Sequence, residues 1–272
     1  MNQYLLEKEI KDDFIKNIFY YEETDSTNTR AKEYIGVGNS IFITDYQSKG
    51  RGRFNRSWDA PRGKDLMFSI LITEIKDINK ASSLTVIAGL SVLQAINSTY
   101  KLKLKLKWPN DIIYKGKKLC GILAESKNAG KEGLIIGIGI NCNNLMFTKD
   151  LIDKGTSIAL ITGEEVNRVE LLKKVLRNFN KNFIIFRDKG IGFFQNSLRE
   201  NSLELGRYIY ITKKSEIVKA KALDINENGT LLIQHKDGAL EDLLSGEINI
   251  EGVYGYNNTI NIISSNIIEN KS

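Results

Sequence analysis

Residues 133–141 read "GLIIGIGIN", nine positions without a charge, with two glycines set between isoleucines. An apolar run this short is a strand buried on both faces, so it belongs inside a sheet that other elements cover. Gly137 and Gly139 weaken such a strand, since glycine packs no side chain and loses the most entropy on ordering. They fit where something must approach the backbone, or where the sheet crossing is merely tight. The residues alone allow both.

Around this strand the pattern from about residue 18 to 202 mixes helices and strands. "NIFYYEE", "SIFITDY" and "LMFSILI" read as strands, and "DSTNTRAKEYI" as a helix that Ser26 or Thr27 can cap. Apolar residues at helical spacing predict a helix over 79–99. "KLKLKLKW" at 101–108 alternates strictly, which predicts a half-buried strand with leucine inward and lysine in solvent, or an edge that pairs chains. "DIIYKGKKLCGILAES" reads as a hairpin turning at Lys115-Gly116, and amphipathic helices follow over about 168–188 and 192–200. After Ser202 the strands shorten and turns come at "NENG" and "HKDG", the signature of a small all-β, barrel-like unit. The reading is therefore a domain over 1–202, a second over 203–256, and a tail over 257–272 that is expected to be flexible.

Bulk properties exclude several classes. No uninterrupted apolar run approaches the ~18 residues of a membrane span, and the N-terminus is neither a signal nor a transit sequence. Two cysteines, without C-x-x-C spacing, make no disulfide framework, so a reducing cytosol and a cytoplasmic location are expected. The single histidine, His235, lies in an expected turn, which removes Ser-His-Asp and Cys-His catalysis and His-rich metal sites. The net charge of +6 reflects scattered lysine more than a patch. Chemistry has to run on Arg, Lys, Asp, Asn and backbone amides.

Two stretches concentrate that chemistry. "GRGRFNRSWDAPRGKD" at 50–65 alternates Gly50 and Gly52, which let backbone N–H groups approach a ligand, with Arg51 and Arg53, which fork onto carboxylate or phosphate. Arg56 and Trp58 make it a loop able to fold over a planar anion, although a solvated surface turn has the same letters. "KWPNDIIYKGKKLCGI" at 107–122 holds the other tryptophan and the other proline of the chain. Its Asn110-Asp111 is a natural turn, and Lys118 is either a snorkelling surface lysine or an ammonium aimed into a site. Asn141, ending the glycine strand, could meet a base edge.

Taken in order, "DSTN" (25–28), "Q-x-x-G-R-G-R" (47–53) with Trp58, "KWPND" (107–111), "KKLCGI" (117–122), "GIGIN" (137–141) and "SGEI" (245–248) resemble the biotin protein ligases over roughly 18–251. The resemblance implies an α+β fold, a mixed β-sheet flanked by helices as in class II synthetases, with a small C-terminal SH3-like β-barrel. It implies biotinyl-5′-AMP formation from biotin and ATP with Mg²⁺, then transfer of biotin to a lysine of the biotin carboxyl carrier protein of acetyl-CoA carboxylase. Carried over residue by residue, Ser26, Thr27, Asn28, Gln47 and Gly137 would hold the biotin head. Arg51, Gly52 and Arg53 would close over its carboxylate and the adenylate, with Trp58 in the same loop. Lys118 would bridge carboxylate and phosphate, while Asn110 and Asn141 meet the nucleotide. Asp111 would help the acceptor lysine shed its proton or hold the metal. Asn55 stands where the family commonly has a second glycine, and asparagine is the side chain best tolerated at positive φ. Fewer than twenty residues precede the first strand, too few for the winged helix-turn-helix of the bifunctional members, so no operator DNA is expected as a partner. A homodimer is compatible with the residues. A lipoate-type ligase, a nucleic-acid-binding protein and a non-catalytic biotin sensor are the competing readings.

Overall fold

A computed structural model describes residues 1–73, 81–128, 132–213, 216–244, 246–254 and 256. The tail at 257–272 and Ser245 of "SGEI" lie outside the described residues. In chain order come α1 (Gln3–Glu9), β1 (Asn17–Tyr21), α2 (Thr27–Glu33), β2 (Ser40–Thr44), β3 (Leu66–Ile72) and α3 (Ala81–Tyr100). β4 (Lys105–Lys107), β5 (Asp111–Tyr114), β6 (Lys117–Asn128) and β7 (Glu132–Ile140) complete a seven-stranded sheet in the order β1-β2-β3-β7-β6-β5-β4. Only the β1–β2 pair is parallel, so the sheet is mixed. α4 (Ile158–Thr162), α5 (Arg168–Lys189) and α6 (Gln195–Asn201) follow.

Strand alternation sorts the sheet into two faces. Ile41, Ile43, Phe68, Ile70, Ile136, Ile138 and Ile140 are buried towards α3 and α5, which pack on each other to build the main core. α3 is long and apolar enough to span a bilayer by length and composition, and two thirds of it is buried in this core. On the opposite face Phe42, Leu71 and Ile135 form a smaller cluster under Ala31 of α2, with Phe19 stacked on Phe42. The rest of that face is left for the site.

"KLKLKLKW" departs from expectation. Only 105–107 is strand, and Lys107 is buried rather than solvated. Nor is its outer edge free: Leu203 donates its N–H to the Leu106 carbonyl, and Lys105 reaches the Glu200 carbonyl. α1 is absent from the sequence reading. The Asn2 side chain caps it by accepting from Leu5 N–H, and Leu6 is its buried anchor. Gln3 of this helix bonds both the Ile18 carbonyl and the Tyr20 N–H, plugging the free edge of β1.

β8 (Tyr208–Lys213), β9 (Glu216–Ile225), β10 (Leu231–Gln234), β11 (Leu240–Leu243) and β12 (Glu247–Asn249) form an antiparallel sheet in the order β11-β10-β9-β8-β12, in keeping with an SH3-like unit. It packs directly against the first domain. The Trp108 indole donates to the Gly229 carbonyl, Gln195 reaches the Ile225 carbonyl, and Arg199 forks onto Asp224. Trp108 is thus a domain fastener, precise in direction because an indole has one donor.

Candidate active site

Register builds the floor. Ser69 faces Gly137, which faces Leu123; one step along, Met67 faces Gly139, which faces Gly121. The glycines sit where a side chain cannot. A Cβ on Gly137 would come 2.3 Å from Asn28 Oδ1, one on Gly139 2.5 Å from the Trp58 ring, and one on Gly121 2.9 Å from both Trp58 and Lys118. The alternation of "GIGI" therefore has one meaning on each face: isoleucine to the core, bare backbone to a trough. Ser26, Thr27, Asn28, Gln47, Arg51, Gly52, Arg53, Trp58, Asn110, Lys118 and Gly137 all line that trough.

One end is lined by uncharged hydrogen-bonding groups, backed by an ion cluster around Glu125. Ser26 begins α2 without capping it through its side chain; Gln47 Oε1 instead accepts from Thr27 N–H at 2.8 Å and from its hydroxyl at 3.1 Å. Fully buried Ser69 lies 2.6 Å from both Thr27 Oγ1 and Asn28 Oδ1. Asn28 Nδ2 donates to Glu125 at 2.7 Å, which fixes which way the amide points. Glu125 also pairs with Lys32 and, at 3.3 Å, with Arg51.

The other end is ionic. Residues 50–58 form a small hairpin: Trp58 N–H bonds the Gly50 carbonyl and Gly52 N–H the Arg56 carbonyl. At its tip Phe54 and Asn55 have φ of 56° and 57°, so asparagine here does adopt the left-handed backbone. Arg53 donates to Asn110 Oδ1 at 2.9 Å and to the Gly246 carbonyl at 3.0 Å, and Arg56 pairs with Glu247. Lys118 Nζ is 2.7 Å from Asp111 Oδ1. Burial pushes the Asp111 carboxyl up, but the Lys118 and Lys107 charges and hydrogen bonds from Lys118 and Tyr254 outweigh it, so Asp111 is held below the ordinary carboxylate range. Burial lowers Arg53 and Lys107, helped by the like charges of Arg56 and Lys118 respectively and against the pull of Asp111. The end is cationic, partly desolvated, and carries one ionised carboxylate.

Asn141 stands apart. Its amide is spent on the Thr156 and Lys118 carbonyls, so it shapes the backbone behind Lys118 and does not line the trough. Cys120 is fully buried on the core face and burial raises its thiol, which leaves it a packing residue. Trp58 lies flat along the glycine row and leaves a cavity of about 50 Å³.

Four contributors escape the sequence reading. Ser69 had a signal, a lone hydroxyl in an otherwise apolar strand. Glu125, Lys107 and Tyr254 had none, because their partners lie across strands or domains.

Comparison with known proteins agrees with this geometry. The model of the Biotin/lipoate A/B protein ligase family matches residues 20–143, and that of the Biotin protein ligase C terminal domain matches 205–250. The bifunctional ligase/repressor BirA of Bacillus subtilis is 28% identical over 242 residues, 86% of this chain and 74% of its own length. The biotin–[acetyl-CoA-carboxylase] ligase of Mycobacterium tuberculosis is 26% identical over 220 residues, 78% of this chain and 80% of its own. A biotin protein ligase from Aquifex aeolicus, solved with biotin and ATP, is 32% identical with a TM-score of 0.78, covering 87% of this chain and 99% of that one. The fold and trough define a ligase of the biotin and lipoate class. Within it, this chain belongs to the biotin protein ligase family.

Proposed function

We propose that this chain joins biotin to a lysine of a biotin carboxyl carrier protein in two steps. A biotin carboxylate oxygen attacks the α-phosphorus of ATP, the bond from that phosphorus to the bridging oxygen breaks, and pyrophosphate leaves. The acceptor amine then attacks the carbonyl carbon of the biotinyl-adenylate; AMP departs with the bonding pair and the amine loses its proton. The observation that carries this reading is the trough itself, with hydrogen-bonding groups suited to a neutral head at one end and Arg53 and Lys118 at the other. Two anions must meet in the first step, and fixed cations in a desolvated site offset their repulsion where charge builds up. Asp111, ionised beside Lys118, supports the reading as the carboxylate that takes the acceptor's proton.

Magnesium enters as part of the ATP complex. The described residues contain no group of three or more acidic, histidine or cysteine ligands, and both Asp111 oxygens already have partners. That donor set suits a hydrated ion carried on phosphates rather than a protein cage. Arg51, now paired with Glu125, is free to exchange that partner for the substrate carboxylate, since a half-exposed pair contributes little.

The test is incubation of the protein with labelled biotin, MgATP and a carrier domain, alongside a carrier whose acceptor lysine is arginine. Label on the lysine form alone is expected. Label on neither, with pyrophosphate still released, would reject the transfer step and leave an adenylate-forming enzyme.

A further inference from the structure

The chain continues past β12 and past the residue, 250, at which the C-terminal domain match stops. Ile250 and Val253 are buried, and this segment turns back on the β5–β6 hairpin of the first domain. Tyr254 N–H bonds the Gly116 carbonyl at 2.9 Å, and a Cβ on Gly116 would come 2.6 Å from the Gly252 carbonyl oxygen. Tyr254 has a φ of 58°, a conformation that costs a non-glycine residue about 1 kcal/mol or more and persists only where surrounding contacts impose it. Those contacts lead into the site. The phenol donates to Asp111 Oδ2 at 2.5 Å while Asp111 Oδ1 pairs with Lys118, and Lys107 Nζ sits 4.9 Å over the phenol ring.

We propose that Tyr254 is a positioning residue for the reaction: by holding one carboxylate oxygen of Asp111 it turns the other towards Lys118 and fixes that ammonium at the reacting end. Burial beside an ionised carboxylate pushes the Tyr254 phenol well above its ordinary value, so it is a donor at neutral pH. A hydrogen bond to a charged group is of the stronger kind, and this one closes a three-residue chain, Tyr254–Asp111–Lys118, across the domain boundary. Its neighbour contacts, Gly246 on Arg53 and Glu247 on Arg56, make the second domain a supplier of orientation to both arginines at this end. The first domain alone holds the neutral end.

This inference rests on the adenylation reading, and the experiment separates the two. Pyrophosphate release is measured for wild type, Tyr254→Phe, Asp111→Asn and the double variant, with biotin and ATP each varied and a thermal melt for each protein. Tyr254→Phe keeps the ring under Lys107 and removes one oxygen. It should lower kcat about tenfold, the effect of one hydrogen bond to a charged group, with the KM for biotin unchanged and the melt lowered by the loss of a buried hydrogen bond. In the Asp111→Asn background the same substitution should add less than twofold, since the two act as one unit. A Tyr254→Phe enzyme with wild-type kcat, or a tenfold loss that persists undiminished without the Asp111 carboxylate, overturns the positioning role. Tyr254→His, which keeps a donor, is the second variant: a partial return of kcat over Tyr254→Phe supports the role, and a kcat no better than that of Tyr254→Phe rejects it. Silence of the wild type with every acid offered overturns the adenylation reading and this proposal with it.

Discussion

The two ends of the trough are assembled on different principles. The neutral end comes from one domain and from groups that strand register brings together: Ser69 opposite Gly137, with Thr27, Asn28 and Gln47 closing over them. The ionic end is drawn from three separate parts of the chain and two domains, with Arg53 tied to Gly246 and Asp111 to Tyr254. The first is a rigid shape that selects; the second is a set of charges whose placement depends on domain packing. Substitutions at the neutral end should therefore act on binding, and those at the ionic end on turnover.

The largest effect is expected at the ionic end. Lys118→Ala removes a cation aimed at developing charge and should lower the rate of pyrophosphate release by about 10³, the upper range for one electrostatic contributor. Biotin binding by calorimetry should change much less. An equal loss in both would erase the division between the ends.

Loop anchoring supplies the next contrast. Asp65 ends the basic loop and accepts from Cys142 N–H at the end of β7, and burial pushes its carboxyl up to about 6. A carboxyl raised in the folded state binds its proton more tightly there, so its contribution to stability is complete below the unfolded value, about 4, and lost as pH rises through 6. Two pKa units correspond to about 3 kcal/mol. Between pH 4 and 6.5 the wild type should thus lose about 2 kcal/mol more than Asp65→Asn in denaturant titrations. Parallel curves for the two proteins would show that Asp65 is not buried as described.

At the neutral end, Gly137→Ala drives a methyl into the Asn28 amide. It should raise the KM for biotin about 30- to 100-fold, the effect of overpacking by 2–3 kcal/mol, and spare the KM for ATP. Ser69→Ala breaks the link between Thr27 and Asn28 more gently, with a KM for biotin about tenfold higher and kcat within twofold. A kcat defect in either variant would place chemistry where the structure places only recognition.

These residues also mark how far the sequence could be read. Gly137, Gly139 and the basic loop stood out because each breaks a local pattern: glycine weakens a buried strand, and arginine alternating with glycine follows neither helical nor strand periodicity. Which face the glycines open on was not legible, because a shift of one residue in register exchanges the faces. Lys107 looked like one of four equivalent lysines, and its burial depends on where Ser202–Leu203 closes the β4 edge. Tyr254 lies 143 residues from Asp111 and outside any motif, so only the domain packing could bring the two together. Asn141 shows the converse: a motif residue whose side chain supports backbone behind the site.

The central claim is tested most directly by pyrophosphate release from MgATP with biotin or lipoate as the sole acid, for wild type and Lys118→Ala in parallel. Release that requires biotin, ignores lipoate and falls about 10³-fold in Lys118→Ala is the predicted result. Equal release with both acids would contradict the reading of the neutral end as a biotin site, and wild-type release from Lys118→Ala would contradict that of the ionic end as the seat of the chemistry.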